Sequence, residues 1–282
     1  MRLYRGISRF ALAAALAAPA LAATWADRGE YDLVMTLRSE PSAQKRLELL
    51  DRWQARYPQS ELRQVRRELY LAVYQFMGDG TRMFQLAGEM LNEPAGNLVG
   101  AYWCTLLVPE LPDQSAATWQ AGEQAAHQLL AGMDRWFGSA AKPAGTSDAE
   151  WQKRAASAGW LAHRALGWIA WQRGDVTTAE TEFRSLLSQN PSSAEISAWM
   201  GIVLGLQKEP AKQAAALWYL ERAAVLRGDG ALTDDRRRAV SRIADDVYVA
   251  YHGDRDGVEA LKSAAAGSAA PPPDFHVDRA HP

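Results

Sequence analysis

The stretch from Trp160 to Ser193 constrains the fold more than any other part of the chain. Leu161, Ala165, Leu166, Trp168 and Ile169 recur at helical spacing, which predicts a helix over about 160–173. Gly174-Asp175 breaks it, because glycine supplies the backbone angles a helix end needs. A second helix is predicted from Thr177 and carries Ala179, Phe183, Leu186 and Leu187. Asn190-Pro191 ends it, since a residue before proline is pushed away from helical angles. Gly201 then follows Gly167 by 201 − 167 = 34 residues, so a second pair begins in the same register. Ala198, Met200, Leu204 and Leu206 fill its first helix, and Ala214, Trp218, Ala223 and Ala224 its second. Lys208-Glu209-Pro210 is a slightly longer connection, which shifts the register by about one residue.

Leu166-Gly167, Gly174, Ala179, Phe183 and Pro191 stand at the offsets of the signature residues of the tetratricopeptide repeat (TPR) family, and the stretch resembles one such repeat. Gly167 and Ala179 are small enough for the two helices to approach closely, Phe183 fills the space between repeats and Pro191 sets the turn into the next. The resemblance is good over about 160–228 and looser over the rest of 25–266. It implies an all-α fold, a right-handed superhelical solenoid of antiparallel helix pairs. An ordinary helical hairpin in a globular bundle is the alternative.

Earlier segments read as looser copies. A short helix is predicted over 23–38, followed by one opened by Glu40-Pro41 with Ala43, Leu47, Leu50 and Trp53 on its apolar stripe. Tyr57-Pro58-Gln59-Ser60 closes it, an ending that resembles TPR proteins of bacterial envelope assembly and division. Leu62–Met77 is the next helix, Gly78-Asp79-Gly80 a turn, and Thr81–Leu91 a further helix stopped by Asn92-Glu93-Pro94. Tyr74 and Gly78 match TPR positions, while Met83 and Ala87 depart from the family's preference. An apolar helix over 97–109 and a long one over Ser115–Phe137 precede a loop, Gly138–Gly145. Ser147 with Glu150 and Ser192 with Glu195 fit capping boxes, and Thr233 is a candidate cap for a helix running to Tyr251. A last helix near 256–266 closes the array. The domain reading is a leader at 1–22, a helical repeat domain over 23–266 and a tail over 267–282, where Pro271-Pro272-Pro273 favours an extended chain. Phe275 and Val277 are expected to fold back onto the end of the array, or else to be recognised by another protein.

Arg2, Arg5 and Arg9, an apolar run over 10–18 and Ala20-Leu21-Ala22 have the form of a secretory signal peptide. The apolar run is far short of the roughly 20 residues of a membrane span, so no stable membrane anchor is expected, and the expected location is periplasmic or secreted. Removing 1–22 leaves 31 − 3 = 28 basic against 33 acidic residues, which argues against nucleic acid as a partner. Arg63, Arg66 and Arg67, and Arg236-Arg237-Arg238, read as solvated helix faces. Cys104 is the only cysteine, so an internal disulfide is impossible, and its apolar setting makes it a small buried hydrophobe.

No catalytic constellation, metal site or cofactor motif is expected. His127 and His163 stand far apart without a second ligand at helical spacing. Asp254-Arg255-Asp256-Gly257 lacks the further acids of a calcium loop. The TPR resemblance implies instead a concave groove lined by the first helix of each repeat. Carried over position by position, it selects Arg164, Trp168, Trp171 and Gln172, then Glu195 and Ala198, and Glu68, Gln75 and Phe76 in the early repeat. Trp168 and Trp171 beside Arg164 suit a peptide with an apolar anchor and an acidic group, and they suit packing equally. The expected function is a non-catalytic scaffold for a protein or peptide partner. An enzyme on a helical solenoid acting on cell-wall glycan, marked by one uniquely buried carboxylate in an aromatic groove, is the alternative, and a small-molecule-binding helical protein is a third.

Overall fold

Short polar residues set the helix starts. Asp27, Ser42, Asp79, Asn97, Ser147, Asp175 and Ser193 each accept a hydrogen bond from a first-turn backbone N–H of the helix that follows. That satisfies a donor with no partner inside the helix. The computed structural model describes residues 25–93 and 96–279, so the expected leader at 1–22 and the stop at Pro94 lie outside the described residues. Among the described residues the protein is all-helical, with no strand. The helices are α1 (Arg28–Ser39), α2 (Ala43–Arg56), α3 (Arg63–Met77), α4 (Gly80–Leu91), α5 (Leu98–Leu107), α6 (Ala116–Ala131), α7 (Met133–Phe137), α8 (Asp148–Gln172), α9 (Val176–Gln189), α10 (Ala194–Leu206), α11 (Pro210–Val225), α12 (Asp234–His252) and α13 (Val258–Gly267). They pack chiefly on their neighbours in the chain.

The chain divides into two compact units, one up to Ala121 and one from Gly122 onward. In the first, α1, α2 and α3 enclose Val34, Leu37, Leu50, Trp53, Tyr70 and Val73. Trp53 is fully buried, and its indole N–H donates to Glu30 Oε1 at 2.7 Å. Glu30 is also fully buried. Desolvation alone would raise its pKa, but hydrogen bonds from Ser60, Ala26 and Trp53 and the charge of Arg66 outweigh it and hold the carboxyl below its ordinary value.

The second unit is built on α8–α13. Phe183 packs where Gly167 leaves room: a Cβ added there would meet the Phe183 ring at 2.7 Å and Glu182 Cβ at 2.8 Å. Gly201 does the same between α10 and α11, where a Cβ would meet Leu220 Cγ at 2.7 Å and the Ala216 carbonyl at 2.9 Å. The two glycines one period apart therefore mark two equivalent close helix crossings. Replacing Gly201 with alanine must part these helices, and is expected to cost about 2 kcal/mol. Gly205→Ala one turn away meets only Ala216 Cβ at 3.8 Å, and should be neutral or gain up to about 1 kcal/mol from helix propensity. Denaturant unfolding of both variants checks this, and equal effects would refute the crossing argument.

Several local expectations change. The segments predicted as a capped start at Ser147 and a first repeat helix from Trp160 are one helix of 25 residues, α8. The long helix over 115–137 is broken at Gly132 into α6 and α7. Ser193, not Ser192, caps α10, and the Glu195 carboxylate goes to Arg164 instead of back to the cap. Ser147 caps α8 through the Glu150 N–H, but the Glu150 carboxylate pairs with Arg154 at 2.6 Å. Thr233 precedes α12 without a side-chain cap bond. Phe275 and Val277 do fold back on the core: the Phe275 ring meets Trp218 edge-on at 5.0 Å, and Arg222 donates to the Ala265, Ser268 and Pro191 carbonyls.

Candidate functional site

Helix α3 carries two clefts on different faces of the first unit. Its residues Leu69, Ala72, Val73 and Phe76 follow helical spacing and face an apolar pocket of about 290 Å³, completed by Leu37, Pro41, Ala43 and Leu50 with Arg38 and Arg46. Phe76 is 81% exposed. A phenylalanine in that position gives up most of the hydrophobic stabilisation its ring can gain, and it lies beside a pocket already apolar. Gln75 next to it is exposed, and Glu68 accepts from Gln64 Nε2 at 3.1 Å. Burial raises the Glu68 pKa more than that bond lowers it.

The second cleft, of about 610 Å³, uses another stripe of α3: Arg63, Arg66, Arg67, Tyr70 and Tyr74. Asp51 and Gln54 of α2, with Pro58 and Gln59 after it, and Arg82, Gln85, Leu86 and Glu89 of α4 complete it. Tyr70 donates to Asp51 at 2.8 Å, and the Arg82 guanidinium lies 5.8 Å from the centre of the Tyr74 ring. Arg67 pairs with Glu93. The expectation of a solvated face fails at Arg66, which is only 5% exposed. Its Nη1 donates to the Tyr57 carbonyl at 2.8 Å, and its guanidinium lies 5.5 Å from the centre of the Trp53 ring. Its Nε has no hydrogen-bond partner among the described residues. Burial depresses its pKa. The spacing 63, 66, 67, 70, 74 was visible in the sequence, but its mixture with acids looked like an ordinary helix surface.

The remaining groove positions lie in the second unit and pack against one another. Arg164 is 6% exposed and grips Glu195 with two bonds, Nε to Oε2 at 2.7 Å and Nη2 to Oε1 at 3.0 Å. Its guanidinium also lies 5.0 Å from the centre of the Trp199 ring. Burial alone would raise the Glu195 pKa, but the Arg164 charge and hydrogen bonds, with Arg236 3.6 Å away, hold it below the ordinary value. Trp168 is buried, and Trp171 is half-buried with its ring 6.5 Å from that of Trp199. Gln172 is half-buried at the end of α8, and Ala198 is buried with Ala194 and Ala223. Cys104 is fully buried, its thiol pushed up to about 12 by desolvation. His163 hydrogen-bonds Glu182 at 2.8 Å. Among the described residues no three metal-ligating side chains gather, and no helix is long and apolar enough to cross a membrane.

No protein-family model, no curated protein and no solved structure matches the chain.

Proposed function

We propose that this protein is a non-catalytic scaffold of TPR-like helix pairs that binds a protein or peptide partner after export to the periplasm or the cell exterior. That the pairs within each unit wind as in a right-handed superhelical solenoid belongs to the same proposal, as does the secretory leader. The observation that carries the binding reading is Phe76, an exposed aromatic ring beside an apolar pocket. Of the groove positions, Phe76 and Gln75 are open to a partner, whereas Arg164 and Trp168 are engaged in packing. Arg38 and Arg46 at the same pocket favour a segment whose apolar anchor is flanked by acidic residues. Among the described residues two carboxylates are fully buried, Glu221 in the helix core of the second unit and Glu30 in that of the first, where it accepts from Trp53 and Ala26, so neither is the uniquely buried acid of an enzymatic reading.

Selection of a displayed random peptide library on the wild-type protein tests this. Enriched peptides should pair an aromatic or large aliphatic residue with nearby Asp or Glu, and should bind Phe76→Asp at least about tenfold more weakly, because an apolar anchor then meets a charge. The unfolding midpoint should hardly change, since the Phe76 ring is exposed. Peptides that bind both proteins equally would overturn the assignment, as would a selection without enrichment.

A further inference from the structure

We propose that the arginine cleft of the first unit is a binding site for a small organic phosphate monoester. The lining holds four guanidinium groups, Arg63, Arg66, Arg67 and Arg82, against two carboxylates, Asp51 and Glu89. Glu93 is paired with Arg67 and Asp79 lies beside Arg82, so Arg63 and Arg66 are the guanidiniums of the lining without an ion pair among the described residues. Arg63 has no ion-pair partner among the described residues and is exposed. Arg82 has only a loose contact with Asp79 at 3.4 Å. Most telling is Arg66. A guanidinium 95% removed from water is a costly arrangement, and the part of Arg66 that lines the cleft would gain from an acceptor there, although its unpartnered Nε is itself enclosed. Glu30 lies near enough to offset part of its charge, but both Glu30 oxygens already accept bonds from Trp53 and Ala26.

Geometry separates phosphate from carboxylate. Arg63, Arg66 and Arg67 lie within about one turn of α3, and Arg82 comes from α4 on another side of the cleft. Donors from several directions suit three tetrahedral oxygens, whereas one planar guanidinium fork already satisfies a carboxylate. The cleft, at about 610 Å³, is far larger than an ion. Tyr74, Leu86 and Pro58 supply the surface for an uncharged body such as a sugar ring.

Calorimetric titration of the protein with glucose 6-phosphate at constant ionic strength, roughly 0.15 M, tests the site. Saturable binding of glucose 6-phosphate is expected, with weaker binding of inorganic phosphate and none of glucose or acetate. The double variant Arg63→Gln, Arg82→Gln removes only exposed side chains, so it should fold normally and bind at least about tenfold more weakly. Phe76→Asp should bind the sugar phosphate as the wild type does, so failure here and failure of the peptide reading are separable. No saturable heat would overturn the proposal, as would equal affinity in the folded double variant or acetate binding as tight as phosphate. Inorganic phosphate binding as tightly as glucose 6-phosphate would overturn the monoester assignment.

Discussion

Arg164→Ala is expected to destabilise the second unit by about 3–5 kcal/mol, the largest effect of any single substitution considered. The reason is not the strength of the Arg164–Glu195 attraction. Two charges taken out of water roughly cancel their desolvation against their mutual attraction, so the intact pair contributes little. Removing Arg164 leaves the Glu195 charge partly buried with both its short bonds lost and only the looser contact of Arg236, at 3.6 Å, to offset it. The guanidinium also covers Trp199, so its loss opens a gap in apolar packing. Thermal unfolding should show a midpoint roughly 10 °C lower. Glu195→Ala should cost nearly as much, and the double variant much less than the sum, because neither orphaned charge remains. A loss under about 1 kcal/mol in the single Arg164→Ala variant would show that water accommodates the orphaned glutamate, and would return Arg164 to the list of residues free to bind a partner. A binding experiment on Arg164→Ala alone would confuse a lost contact with an unfolded unit, and Phe76 is the better probe for that reason.

What the sequence makes legible follows from the range of the interactions involved. Glycine and proline act on their own residues and immediate neighbours, so Gly78, Gly174 and the 190–193 turn could be placed without a structure. The two helix crossings at Gly167 and Gly201 were legible as well, because a 34-residue period ties one pair to the next. Gly100 makes an equally close crossing, where a Cβ would meet the backbone N of Leu91 at 2.6 Å, yet its repeat is too degraded to reveal it. Contacts across many residues stayed hidden. Glu195 read as the partner of a serine three residues away, and is in fact the partner of an arginine 31 residues away. Both choices satisfy a carboxylate, and only packing decides between them. Arg66 and Arg173 show the same blindness in opposite directions: one basic residue on a charged helix is buried, and the other reaches Glu123 with two bonds at 2.8 and 2.9 Å. For the two proposed binding sites, the helix faces of α3 could be read from spacing. Which of its apolar residues would be left uncovered could not, since the pocket beside Phe76 is formed where α1 ends and α2 begins.

The second large effect is expected at Glu221. This side chain of α11 is fully buried, and neither carboxylate oxygen has a hydrogen-bond partner among the described residues. Desolvation pushes its pKa up to about 7 from an ordinary value of 4.5, Asp245 and Glu259 add to the rise, and Lys262 and Arg255 oppose it. Lys262 is itself engaged by Asp245 at 2.9 Å and Glu259 at 3.1 Å, so its charge is shared. The folded state therefore holds the Glu221 proton more tightly than the unfolded chain does. Stability contributed by this group is fully present below about pH 4.5, falls as pH rises, and is gone above about pH 7. At about 1.36 kcal/mol per pH unit, the window from 4.5 to about 7 amounts to about 3 kcal/mol. Glu221→Gln keeps the shape and removes the ionisation. It should raise the unfolding free energy by about 3 kcal/mol at pH 8 and by less than about 1 kcal/mol at pH 5, flattening the profile between them. Chemical denaturation of both proteins at the two pH values measures the difference directly. Equal gains at the two pH values would mean that the carboxylate is ionised throughout and that Lys262 compensates it in place. Because α11 also holds Phe275 through Trp218 and the carbonyls of Ala265 in α13 and Ser268 in the tail through Arg222, ionisation one residue away strains the same helix that anchors the C-terminal segment. Protection of that segment from proteolysis should therefore weaken between pH 5 and pH 8 in the wild type and stay constant in Glu221→Gln.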